Sequence, residues 1–129
     1  MSQCSASLKK LSLELGGNSP FIIFDDCDLS STVDALITAK VRNSGQTCVS
    51  ANRIYVQEGV YDELAALLLE RMKELKMGAG FEPGAKIGPL MHKVAVNKAT
   101  SHVEDAVSKG AQVLLGGKPC GGISGKGLF

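Results

Sequence analysis

Pro20-Phe21-Ile22-Ile23-Phe24-Asp25-Asp26-Cys27-Asp28-Leu29 is the stretch on which the fold turns. Its first five side chains are continuously apolar, the pattern of a strand covered on both faces in a parallel sheet. Asp25 and Asp26 end the run, and Asp28 is placed to cap the start of a helix. Leu29, Val33, Leu36, Ile37 and Val41 recur along one helical face, predicting a helix that fades between Asn43 and Gly45. Asn52 to Gln57 (Asn-Arg-Ile-Tyr-Val-Gln) reads as a second strand. Strand, helix, strand is an α/β order.

Upstream, residues 10 to 17 alternate in period two. Leu11, Leu13 and Leu15 share one face of an expected strand, Ser12 and Glu14 take the other, and Gly16-Gly17 breaks it. Downstream, Val60, Leu64, Leu67, Leu68, Met72 and Leu75 mark the clearest helix. Residues 76 to 91 form a long loop rich in Gly and Pro. Val96, Ala99, Val103, Ala106 and Val107 mark a third helix ended at Gly110, and Val113 to Leu115 is an expected last strand. The fold class is therefore α/β, a parallel Rossmann-like sheet with helices packed on it. Three strands make a narrow sheet with open edges. The last fourteen residues hold six glycines and no further element, so the chain reads as an incomplete piece of something larger.

Composition narrows the classes. Fourteen Lys and Arg against thirteen Asp and Glu leave a formal charge of +1, which gives no electrostatic reason to expect a nucleic acid or an anionic membrane as partner. Apolar residues at 44% and charged residues at 21% suit one ordinary globular core. The longest purely apolar run, Leu64 to Leu69, is too short to span a bilayer, and the first ten residues lack the apolar stretch of a secretory signal. Cys4, Cys27, Cys48 and Cys120 lie far apart, as free thiols in a reducing compartment would; cytoplasm or mitochondrial matrix is the expected location. No CxxC occurs and His92 and His102 stand ten residues apart, so no metal site is expected.

Two residues carry chemistry in this pattern, with a third beside them. Cys48 follows Gly45-Gln46-Thr47 in a polar turn just after the first helix. A thiol of ordinary pKa about 8.5 is only a few per cent thiolate at neutral pH, so a nucleophile needs local dipoles or cations, which a glycine turn can supply through its N–H groups. The plainer reading of Cys48 is a small buried apolar side chain. Glu14, set among leucines before a Gly-Gly break, is expected to have its pKa raised toward that of a general base, or else to face solvent on a half-exposed sheet. Arg42 either complements the dipole at the helix end or clamps an anion beside Cys48. The late glycines fit neither GxxxxGK[ST] nor a strand–GxGxxG–helix.

Leu13-Glu14-Leu15-Gly16-Gly17-Asn18-Ser19-Pro20 and Gly45-Gln46-Thr47-Cys48, in that order, resemble the paired glutamate and cysteine signatures of the aldehyde dehydrogenase superfamily. The resemblance extends over Phe24-Asp25-Asp26, Asn52-Arg53-Ile54-Tyr55-Val56 and Ile87-Gly88-Pro89-Leu90. Arg42-Asn43-Ser44-Gly45-Gln46-Thr47-Cys48 is most similar to the succinate-semialdehyde dehydrogenases. It implies that residues 1–129 are a partial catalytic domain from which the dinucleotide-binding domain is absent. It further implies NAD or NADP as cofactor, a small-molecule aldehyde as substrate, and a homo-oligomer as the full-length enzyme.

By the same resemblance, Cys48 attacks the aldehyde carbon, its backbone N–H holds part of the oxyanion, and Glu14 activates the water that hydrolyses the thioester. Arg42 would hold a substrate's distal carboxylate, and the backbone at Leu15 would meet the nicotinamide carboxamide. Val41 departs from the pattern where an aromatic residue is common, and Ser50 stands where Ala, Cys, Gly or Asn is usual. Two other readings stay open: a truncated fragment without activity, and a thiol esterase or redox protein in which Cys48 works without a dinucleotide.

Overall fold

The computed structural model describes residues 1–120. Its elements, in chain order, are α1 (Ser2–Ser5), β1 (Ser19–Ile23), α2 (Leu29–Val41), a tight turn over Arg42–Gly45, β2 (Ala51–Val56), α3 (Glu58–Lys73) and α4 (Lys93–Ser108). β1 and β2 pair in parallel, with Pro20 opposite Arg53, Phe21 opposite Ile54, Ile22 opposite Tyr55 and Ile23 opposite Val56. α2 is the crossover between them, as a parallel pair requires. Its start is capped as expected: the Asp28 carboxylate accepts from Ser31 N–H at 2.8 Å.

The core is small and lies on one face of this pair. Ile23 of β1, Val33 and Leu36 of α2, and Val60 and Leu64 of α3 are buried together, with Phe21, Cys27, Leu29, Ile37, Val56 and Leu68 packed around them. α3 docks through one face only, Val60 and Leu64 inward and Leu67 outward. α4 contributes a single buried side chain, Val96. Residues 76–91 are a loop closed on itself: Met77 bridges Ile87, Gly78 N–H donates to Ile87 C=O at 2.9 Å, and Lys86 N–H to Lys76 C=O at 2.8 Å.

Three expectations are corrected. Residues 10–17 are not a strand; Leu11, Leu13 and Leu15 are 42%, 58% and 70% exposed. Val113 to Leu115 is not a strand either. A strand exists only through a ladder partner, and among the described residues β1 and β2 have no third neighbour. The β1 run is also covered on one face rather than both, because α2 and α3 pack on the side of Phe21 and Ile23, leaving Ile22 and Phe24 largely exposed.

Candidate active site around Cys48

The backbone leaves α2 abruptly. Asn43, Ser44 and Gly45 follow one another in the left-handed region, at φ of 51°, 57° and 76°. Glycine is at home there and asparagine tolerated, but a serine costs roughly 1 kcal/mol or more, so the bend persists only if its surroundings hold it. They do so with a closed set of hydrogen bonds. The Asn43 carbonyl accepts from Gln46 N–H at 3.1 Å and from Gln46 Nε2 at 3.2 Å, while Asn43 Nδ2 donates to the Gln46 carbonyl at 3.2 Å. Ser44 Oγ donates to the Gly88 carbonyl at 2.8 Å, and Met91 N–H donates to Gln46 Oε1 at 2.9 Å.

Cys48 comes next, at the first central position of a tight turn closed by Ser50 N–H on the Thr47 carbonyl at 3.2 Å. It is exposed, not the small buried apolar side chain of the plainer reading, whereas Cys27 is half-buried and packs at the core edge. Among the described residues, no acceptor takes the Cys48 N–H. Behind the turn, Ser50 is buried, its hydroxyl 3.5 Å from Lys40 Nζ, which also donates to Asn52 Oδ1 at 2.7 Å. This staples the end of α2 to the start of β2.

The segment carrying Glu14 meets the Cys48 turn through a glycine. Gly16 has open space around its Cα, but a Cβ on Gly17 would fall on the carbonyl of Cys48. The two backbones thus touch, although residues 14 and 48 are far apart in sequence. Arg53 fastens the next residue, with Nε and Nη2 donating to the Asn18 carbonyl at 3.2 and 2.9 Å. Three extended residues reach about 11 Å, so Glu14 lies within that span of Gly17. Glu14 itself is exposed, on a segment that forms no sheet. Arg42 is also exposed and, among the described residues, forms no ion pair.

Gly17, Ser44, Gln46 and Arg53 were not singled out by sequence reasoning. A pair of adjacent glycines does not reveal which one is crowded, and one partner of the Gln46 amide, Met91, lies 45 residues away. An apolar cleft of about 360 Å³ between α3 and residues 114–116, lined by Leu68, Met72, Met77, Ile87 and Leu115 among others, does not include Cys48 or Glu14.

Comparison with known proteins gives this geometry a context. A family model described as the aldehyde dehydrogenase family matches residues 1–129. The chain is 58% identical over 118 residues to the glutarate-semialdehyde dehydrogenase of Pseudomonas putida, covering 92% of this chain and 25% of that one. It is 52% identical over 118 residues to the succinate-semialdehyde dehydrogenase (NADP+) of Escherichia coli K12, covering 92% and 24%. Among solved structures, an aldehyde dehydrogenase from Brucella melitensis biovar abortus superposes with a TM-score of 0.90 at 55% identity, covering 99% of this chain and 26% of that one. The chain therefore spans about a quarter of the length of the relatives it matches.

Proposed function

The chain belongs to the aldehyde dehydrogenase family, and from that premise we propose that residues 1–129 are the nucleophile-bearing part of the catalytic domain of an enzyme that oxidises a carboxylate-bearing aldehyde to its acid. The dinucleotide-binding domain then lies outside these residues. Succinate semialdehyde is the proposed substrate, with glutarate semialdehyde, which the name of the 58% identical relative carries, one CH₂ longer and separated by only about 1 kcal/mol of apolar contact. The observation that carries the proposal is the packing of Gly17 on the Cys48 carbonyl, which supports a shared site for the two signature segments.

In this reading the Cys48 thiolate adds to the aldehyde carbon, and the developing oxyanion takes the Cys48 N–H, a donor with no other acceptor among the described residues. A nicotinamide dinucleotide, NAD or NADP, when bound, supplies the hydride acceptor. Leu15 fits one edge of that group: it is 70% exposed and, among the described residues, its backbone makes no hydrogen bond, so it is free to meet a carboxamide. Once the carbon has lost its hydride, Cys48 holds a thioester. Glu14 takes a proton from water, the hydroxide adds, and the acid leaves as the thiolate returns. Arg42, exposed and without an ionic partner among the described residues, grips the substrate's far carboxylate.

The test is a chimera in which these residues replace the matching quarter of the Escherichia coli relative. NADP reduction with succinate semialdehyde, abolished by Cys48→Ser, is expected. A folded chimera that binds NADP but turns over nothing overturns the proposal. The 129 residues alone should reduce no cofactor. Arg42→Ala in the chimera should weaken use of ω-carboxylate aldehydes over neutral ones by about 1.5–3 kcal/mol, the scale of one charge-assisted contact. Equal losses on both substrates would make Arg42 structural.

A further inference from the structure

The geometry points to Gln46 as a positioning residue for the nucleophile, one that acts through the backbone on which Cys48 sits. The inference rests on Cys48 as the proposed nucleophile and adds to it a residue that touches neither substrate nor sulfur. Gln46 is an exposed side chain at the edge of a loop, yet every polar group of its amide that the turn requires is engaged. Oε1 accepts from Met91 N–H at 2.9 Å, Nε2 donates to the Asn43 carbonyl at 3.2 Å, and the Gln46 backbone exchanges two further bonds with Asn43.

Those bonds close on the part of the chain least able to hold its own shape. Asn43, Ser44 and Gly45 are three successive left-handed residues, two of them not glycine. The amide of Gln46 is the only side chain that ties this bend both to itself, at Asn43, and to the separate segment that ends the 76–91 loop, at Met91, among the described residues. Ser44 supplies a second pin to the same segment, at Gly88. Cys48 is two residues beyond Gln46, so the direction of its N–H and of its Cα–Cβ bond is set by where this latch leaves the chain.

The consequence separates two kinds of thiol chemistry. Acylation by an activated ester builds an oxyanion that needs the Cys48 N–H in place. Alkylation by iodoacetamide displaces iodide at carbon and builds none. Gln46→Met keeps the side chain's length and removes both amide bonds, while Gln46→Glu keeps an acceptor for Met91 N–H but replaces the donor to Asn43 with a carboxylate oxygen.

The experiment treats the full-length chimera and the same two variants in it with p-nitrophenyl acetate and, separately, with iodoacetamide, and follows Cys48 by peptide mass, with Cys4 and Cys120 as internal standards. Gln46→Met should slow acylation at Cys48 about three- to tenfold, the factor one net hydrogen bond represents, with alkylation at Cys48 unchanged and Gln46→Glu recovering part of the loss. Equal acylation in parent and Gln46→Met overturns the inference while leaving Cys48 as nucleophile. A parallel fall in both reactions, or a loss of helical circular dichroism, makes Gln46 merely structural and also overturns it. A parent chain that acylates Cys48 no faster than Cys4 or Cys120 overturns the nucleophile reading, and the inference with it.

Discussion

Two segments meet at Gly17 and Cys48, and they are built in opposite ways. The turn from Arg42 to Ser50 is held from three sides: by Gln46 and Ser44 to the 88–91 segment, by Lys40 to Asn52, and by buried Ser50 beneath. Among the described residues, the stretch from Lys10 to Asn18 is anchored at its far end alone, where Gly17 rests on the Cys48 carbonyl and Arg53 grips Asn18. Everything before Gly17 in that stretch is exposed. The difference teaches that the proposed nucleophile is positioned by this chain's own contacts, whereas the proposed base depends on a single hinge. The exposed leucines at 11, 13 and 15, and separately Ile22 and Phe24, are the kind of apolar surface that other protein normally covers.

The largest expected effect comes from breaking the hinge. Gly17→Ala places a methyl against the Cys48 carbonyl, where backbone cannot yield as a flexible side chain would, so the Glu14 segment must move away. A misplacement of about 1 Å at a reacting group can cost about 10²-fold in rate. In the chimera, thioester hydrolysis should fall by that order while the initial burst of acylation at Cys48 persists. Gly16→Ala, with open space around it, is the control and should change neither phase. Equal behaviour of the two alanine variants would show that the contact at Gly17 has no bearing on the site.

A smaller effect comes from loosening the same anchor without a clash. Arg53→Met keeps the aliphatic stem beside β1 and removes both hydrogen bonds to the Asn18 carbonyl. Because the acceptor stays wet, the loss should be about 1 kcal/mol or less, read as faster amide exchange through residues 15–18 with no change around Gln46. Loss of protection in both segments would mean that the two are not independently held.

How much of this is legible in the sequence depends on how far apart the deciding residues lie. Asp28 and the helix after it are written in local pattern, since a cap and the periodicity of Val33, Leu36 and Ile37 need no distant partner. The parallel pairing of β1 with β2 follows from the helix between them. The alternation of Leu11, Leu13 and Leu15 suggests a strand that does not form here, because alternation describes two faces and says nothing of whether a ladder partner is at hand. At the site, residue type and spacing leave Cys48 and Glu14 each with a plain structural reading, and they stand out through the resemblance of their two segments to the aldehyde dehydrogenase signatures. Gln46 and Gly17 do not, because a latch to Met91 and a contact with a carbonyl thirty-one positions on exist only once the chain has folded. The left-handed bend is equally hidden: Asn43 and Gly45 suggest a helix end, but nothing local predicts that Ser44 between them shares the conformation.

The smallest effect lies at the other end of the helix that carries the turn. Hydrogen bonds from Ser31, by its side chain and then its N–H, hold the Asp28 carboxyl below its ordinary value near 3.8. A carboxylate whose pKa is depressed by folding stabilises the folded chain fully above that ordinary value, and the contribution disappears as pH falls through the lower, folded-state pKa. The cap should therefore be intact at neutral pH and fail only in acid. Asn caps a helix about as well as Asp without titrating, so Asp28→Asn should match the parent near pH 7 and lack this one acid-dependent term. Measured as thermal midpoints from about pH 6 down to about pH 2, the parent should lose stability relative to the variant only below the ordinary Asp range. The probe at Cys48 sharpens the comparison. Its acylation rate should stay level through Asp28→Asn at neutral pH, since the first turn of α2 is thirteen residues from Arg42 and none of the bonds that hold the bend passes through it. A change at Cys48 without a change in stability would mean that the turn is set by the whole helix and not by its own latch.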